Sequence, residues 1–397
     1  MIEQDTPSHA IDGQLKSAAF LGFVLLLIVA AVVGMMQDWR MAAQCLCQSA
    51  LIWTVAWHLS WQRKALNYDV ITAIPFARLG WANRLTLLRG ALVAAVGGFL
   101  FQPMQVASIV WMPALLYSAA AALDRFDGSI ARRSGQTSRL GSELDTAFDA
   151  LGLAVAPLLA ALYGKVHWSY LLVSIAYYLF QGGLHWRRRN ARPVYEMTPS
   201  KLRRTIAGFQ MGFVSLALWP VFQADLTRVA SIAFMLPLLT GFAIDWLTVT
   251  GRVRPEHAPA SDFLRRLAAF SVIVLQPLAR ITLVALLVWL AYTVNEALAY
   301  NGALADDVAW QRVMFVFGLQ ASAALLATGV LARVGAVAAL LLLTWMLPIA
   351  RIGENGGALS IATAAVAAVF LAAWVALLGA GRFSLWQADD VWVNRHD

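Results

Sequence analysis

Apolar runs of about twenty residues with almost no charge recur from one end of the chain to the other, and no other feature narrows its folding as much. Ser17–Met36 and Leu359–Gly379 contain no Asp, Glu, Lys or Arg at all. A bilayer core of about 30 Å is crossed by roughly 20 apolar residues of helix, because a helix satisfies its own backbone hydrogen bonds where no water can. Twelve stretches of this kind are expected to span, near residues 17–36, 41–61, 85–101, 106–124, 146–163, 167–186, 205–222, 229–250, 268–293, 313–332, 334–350 and 359–379. The fold class that follows is all-α, a polytopic membrane protein. A composition of 60% hydrophobic and 13% charged residues excludes an ordinary soluble domain. The sixteen tryptophans suit an aromatic belt at the lipid–water boundary.

Most of the positive charge lies in the connections. The formal net charge of +8 raises the question of nucleic acid, but most Lys and Arg residues lie in short loops between apolar runs and are not interleaved with aromatics in a polar segment. No nucleic-acid partner is expected. With the N-terminus inside, Arg63, Lys64, Arg132, Arg133 and Arg187–Arg189 fall on the cytoplasmic side, whereas the outer loops keep only isolated cations such as Arg40 and Lys165. This asymmetry predicts both termini in the cytoplasm of a bacterial-type inner or plasma membrane. The first apolar run lacks a convincing small-residue cleavage site and reads as an uncleaved helix. The Pro- and charge-rich stretch Gly251–Asp262 reads as a linker. The chain then divides into two N-terminal helices (1–62), a six-helix unit (63–250), the linker (251–262) and a four-helix unit (263–397). Cys45 and Cys47, on one apolar run, read as small apolar residues, and no histidine has a metal partner at helical spacing.

One stretch carries chemistry. Asp124-Arg125-Phe126-Asp127-Gly128-Ser129-Ile130-Ala131-Arg132 is followed after eight residues by Gly141, then by Asp145 and Asp149 at intervals of four. On a helix Asp124, Asp127 and Ala131 share a face, and Gly141, Asp145 and Asp149 form a second stripe. Two antiparallel helices thereby bring four carboxylates together at the membrane edge. Such charges repel strongly unless something positive lies among them. Oxygen-only ligands suit a hard divalent ion, Mg²⁺, Mn²⁺ or Ca²⁺, over zinc, and a pair of such ions suits phosphoryl transfer. The plainer reading has these aspartates capping helices and pairing with Arg125, Arg132, Arg133 and Arg139.

The pattern D-x-x-D-G-x-x-A-R-x8-G-x3-D-x3-D, matched at all eight fixed positions, resembles the signature of the CDP-alcohol phosphatidyltransferases. Asn83, Thr86 and Arg89, in the run Asn83–Arg89, are similar to that family's N-x-x-T-x-x-R opening, and the six spans from Leu85 to Thr250 look like its six-helix unit. The resemblance covers roughly residues 80–250. It implies that Asp124, Asp127 and Asp145 ligate two Mg²⁺ or Mn²⁺ ions and hold the diphosphate of a CDP-linked donor. It implies also that Asp149 completes the metal site and is general base, and that Gly128, Ala131, Arg132, Gly141, Asn83 and Thr86 border the nucleotide. The implied partners are CDP-diacylglycerol or another CDP-alcohol, an alcohol acceptor and membrane lipids. Members often form homodimers, so that state is an expectation as well.

Lys201, Arg203 and Arg204 suit an acceptor phosphate or serve as positive-inside anchors. Asp245 reads equally as a cavity-facing or a helix-end carboxylate. Pro277 is expected to break its helix and leave Arg280 at the membrane edge. The four C-terminal spans are weakly similar to DoxX-like membrane proteins through their small residues and a Gly-x-x-x-Arg turn. Two alternatives stay open: a soluble CDP-alcohol as donor to a lipid hydroxyl, and a cation transporter that uses the acidic cluster.

Overall fold

The computed structural model describes residues 7–103, 109–134, 137–197, 201–253, 269–300, 306–346, 357–381 and 383–386, together with Arg266. The linker proposed from Gly251 is described only to Val253. Twelve α-helices occur among these residues: α1 (Pro7–Met36), α2 (Trp39–Gln62), α3 (Trp81–Gly97), α4 (Trp111–Ser134), α5 (Arg139–Leu162), α6 (Leu171–Arg189), α7 (Lys201–Ala217), α8 (Ala224–Val249), α9 (Gln276–Tyr300), α10 (Asp306–Thr328), α11 (Ala332–Met346) and α12 (Gly357–Leu378). Each falls on one expected run. Five helical stretches are long and apolar enough to cross a bilayer: Ala10–Met36, Arg139–Leu162, Ala224–Val249, Ser271–Glu296 and Ile361–Leu378. Val313–Thr328 and Ala332–Trp345 are shorter apolar helices.

Packing divides the chain into two units, Met1–Gly164 with Met211–Pro220 and Lys165–Gln210 with Val221–His396. In the first, α1 and α2 form a tight hairpin. A Cβ on Gly22 would lie 2.3 Å from the Trp53 ring, so only glycine lets that indole in. Trp53 and Trp57 donate from Nε1 to the carbonyls of Ala19 and Leu15 at 3.2 and 3.0 Å. Helix α3 is the buried axis of this unit and packs on α1, α2, α4 and α5. Its Gly90, Ala91, Ala94 and Ala95 are buried, and small residues let helices approach closely where lipid supplies no hydrophobic drive between them. The Phe148 ring of α5 fills the space beside Gly90, within 2.9 Å of where a Cβ would stand. Near the far end of α7, Ser215 meets Ser118 at 2.8 Å and Trp219 stacks edge-on against Trp111.

In the second unit α6 packs on α8, with Trp246 seated against Gly183. Helices α9 to α12 pack in chain order, and α9 closes on α12. Trp374 of α12 donates to the carbonyl of Ala233 at 3.1 Å.

Pro277 does not break the chain's path. The residues before it, Ser271–Leu275, form a π-helical turn whose i→i+5 pairing runs from the Gln276 amide to the Ser271 carbonyl, and α9 continues directly. A widened turn tolerates proline, whose ring collides with the i−4 carbonyl in a regular α-helix. Arg280 therefore does not sit on a broken end. It is 4% exposed and donates to the carbonyls of Ala380 and Phe383 beyond α12.

Candidate active site

Helix α4 runs unbroken from Trp111 to Ser134, past the end of the apolar run, so the first half of the acidic motif is helical. The second half opens α5. Ser138 is its N-cap and accepts from the Gly141 amide at 2.9 Å, which satisfies one of the donors that every helix start leaves unpaired. This corner is held from behind. Asn83, 3% exposed, donates to Ser138 Oγ at 2.9 Å and to Asn67 Oδ1 at 3.3 Å. Backbone bridges pair Asp69 with Ser138 and Tyr68 with Pro75. The Asp69 carboxylate accepts from the amides of Ile71 and Thr72, and those two bonds hold its pKa below the usual carboxylate range.

Gly141 borders this network. A Cβ there would lie 2.5 Å from Asn83 Oδ1 and 3.2 Å from Ser138 Oγ. Gly141→Ala is expected to push Asn83 off Ser138 and to lower the melting temperature of the detergent-solubilised protein by several degrees, a loss of about 1–3 kcal/mol. A melting curve unchanged by the methyl group would show that Asn83 is not held there.

The two stripes meet. One carboxylate oxygen from each of Asp124, Asp145 and Asp149 lies within 4.8 Å of the other two. The Asp127, Ala131 and Arg132 side chains are outside the described residues, although their backbone belongs to α4. Gly128 is half-buried on that helix. Among the described side chains, Arg89 of α3 stands among the carboxylates, while the Arg132 and Arg133 side chains lie outside the described residues. Arg89 is 2% exposed. Nη1 pairs with Asp124, while Nη2 lies 2.9 Å from Asp145 and 3.1 Å from Asp149, each at Oδ1, and also donates to the Asp145 carbonyl at 3.1 Å. Arg139 pairs instead with Glu143, one turn along α5, at 2.9 Å. Tyr117, buried on α4, lies within electrostatic reach of both Asp149 and Arg89.

Arg89 entered the sequence reading only as the last fixed position of the opening motif. Its signal was available, since it is a charge on an otherwise apolar run, and such residues are by default functional. Asn83, Thr86 and Arg89 follow at i, i+3 and i+6 and are all buried. Thr86 donates to the Ala82 carbonyl at 3.0 Å.

Among the described ion pairs, three carboxylates meet one guanidinium, a formal surplus of two negative charges. All the donors are oxygens, and the aspartate side chains keep 31%, 48% and 45% of their surface. That donor set fits a hard divalent ion.

In the second unit, Arg203 pairs with Asp245 at 2.7 Å, so Asp245 has a cationic partner on α7. Arg204 is exposed, and the Lys201 side chain is outside the described residues.

Comparison with known proteins bears on the acidic segment. The family model described as CDP-alcohol phosphatidyltransferase matches residues 79–249, the stretch that contains the opening motif and both stripes. Residues 79–249 are thus similar to the CDP-alcohol phosphatidyltransferase family. A Mycobacterium tuberculosis protein named as a candidate cardiolipin synthase is 31% identical over 140 residues, which is 34% of this chain and 63% of that one. A CDP-diacylglycerol–glycerol-3-phosphate 3-phosphatidyltransferase of Pectobacterium atrosepticum is 40% identical over 87 residues, 21% of this chain and 45% of that one. The enzyme of the same name from Yersinia enterocolitica is 44% identical over 62 residues, 15% and 34% of the two chains. The chain thus spans at most about two-thirds of these relatives' length. No solved structure matches it. The matched segment ends at residue 249, before α9, so the four C-terminal helices lie outside it.

Proposed function

We propose that the chain is a membrane enzyme that transfers a phosphatidyl group from CDP-diacylglycerol to an alcohol and releases CMP. The observation that carries this reading is the convergence of Asp124, Asp145 and Asp149 within 4.8 Å inside a segment of this family. Asp124, Asp127, Asp145 and Asp149 are the groups that would hold two Mg²⁺ or Mn²⁺ ions. Bound there, such ions supply Lewis-acid stabilisation of charge on the attacking and leaving oxygens.

The chain's own residues do the rest. Asp149 takes the proton of the acceptor hydroxyl, whose oxygen attacks the phosphorus attached to diacylglycerol. The phosphoanhydride P–O bond breaks, and its electron pair leaves with CMP. Gly128, Ala131, Arg132, Gly141, Asn83 and Thr86 are proposed to border the cytidine nucleotide. The relatives named for glycerol 3-phosphate support a phosphate-bearing acceptor, and Lys201, Arg203 and Arg204 are proposed to hold its phosphate. The loop charges support an active site on the cytoplasmic face.

The test is CMP release from labelled CDP-diacylglycerol by purified protein with Mg²⁺ or Mn²⁺ and a panel of alcohols. Glycerol 3-phosphate is expected to be turned over. The double variant Arg203→Gln/Arg204→Gln should raise KM for it about tenfold while kcat stays within a factor of a few. Absence of CMP release with every acceptor, together with cation flux in liposomes, would replace this reading with the transporter one.

A further inference from the structure

The placement of Arg89 is unusual for a side chain in a site built for metal. It enters from α3, the buried axis of its unit, and is 2% exposed, while the three aspartates it touches stay open on their other side. It engages Oδ1 of Asp124, Asp145 and Asp149, all of them oxygens a divalent ion needs. A planar guanidinium with five fixed donors can hold several carboxylates at once, and it cannot lose its proton to relieve crowding by a second cation.

We propose that Arg89 is the resident counter-cation of the acidic site: it holds the three aspartates together before a divalent ion binds, and it competes with that ion for their oxygens. The proposal rests on the reading that these aspartates bind divalent ions. Arg89 acts through the aspartates and is a positioning residue. It supplies the positive charge without which three carboxylates within 4.8 Å would drive α4 and α5 apart. By the same charge it lowers the site's affinity for a dication, so that the ion is held firmly only when the donor's phosphates add their own negative charge. Two apparently opposed needs, a cluster that survives without metal and one that binds metal with substrate, are met by one side chain.

The experiment is direct Mn²⁺ binding to detergent-solubilised protein, read by the paramagnetic resonance of free Mn²⁺ and without substrate. Arg89→Gln removes the charge and is expected to bind Mn²⁺ at least about tenfold more tightly than the wild type, while melting at a lower temperature in EDTA. Arg89→Lys keeps a charge but cannot span three carboxylates, so its Mn²⁺ affinity should fall between the two. Should Arg89→Gln fail to fold, Arg89→Lys decides alone. Affinity no tighter than wild type in the variants that fold would overturn the proposal. The wild type supplies an independent reading, because with EDTA it should keep its full helical circular dichroism, and loss of helix on stripping would also overturn it. None of these readings depends on CMP release, so failure of the proposed reaction and failure of this inference are told apart.

Discussion

Asp149→Asn is expected to reduce CMP release by about 10²–10⁴-fold, the range over which a positioned general base contributes. Asn has nearly the same size and leaves α5 intact, but it cannot take a proton from an acceptor hydroxyl. The substitution also removes one negative charge from a cluster of three around Arg89, which relieves repulsion between carboxylates. Stability should therefore hold or rise while turnover falls. Kinetics and a melting curve on the same preparation check both halves. Turnover within tenfold of wild type would remove Asp149 from the role of base.

Arg280→Met is expected to lower the stability of the second unit by about 2–4 kcal/mol, because two buried carbonyls lose a charged donor. Arg280 is on α9, and its partners Ala380 and Phe383 lie just beyond α12. The same residue touches a third element. Gly329, at φ +70°, ends α10, and a Cβ there would lie 2.8 Å from Arg280 Nη1 and 2.6 Å from Ser384 Cβ. One guanidinium thus ties the start of α9 to the ends of α10 and α12. Cations near helix C-termini are also favoured by the aligned peptide dipoles. The Leu385 amide donates to the Thr328 carbonyl at 3.1 Å, and its hydrogen exchange should speed up in the variant. An unchanged melting temperature with unchanged exchange would mean that burying the charge offsets what its hydrogen bonds contribute.

Arg333 repeats the arrangement on α11. It is 6% exposed and donates to the carbonyls of Ala376 and Leu377, in the last turn of α12. The Gly-x-x-x-Arg turn, Gly329 to Arg333, therefore has a structural use, apart from any family likeness of this unit.

Helices were legible because their cause is local. An apolar run of about twenty residues with almost no charge has few alternatives to a helix in a bilayer, and each of the twelve expected runs falls on a helix. The carboxylate stripes were legible for the same kind of reason: spacings of three and four project onto one face of a helix. The path through Pro277 was not, because a π-turn is one way among several to accommodate proline, and local sequence does not choose between them. The pairing of Arg203 with Asp245 joins residues 42 positions apart, a distance over which spacing is silent.

By itself the sequence determined the all-helical class, the helix positions and the two stripes that present Asp124, Asp145 and Asp149. Only the tertiary structure decided which cation they meet. Their shared partner among the described side chains is Arg89, at least 35 residues away along the chain. The reason is geometric, since α3 packs on both α4 and α5 and its buried face carries Arg89 between the stripes.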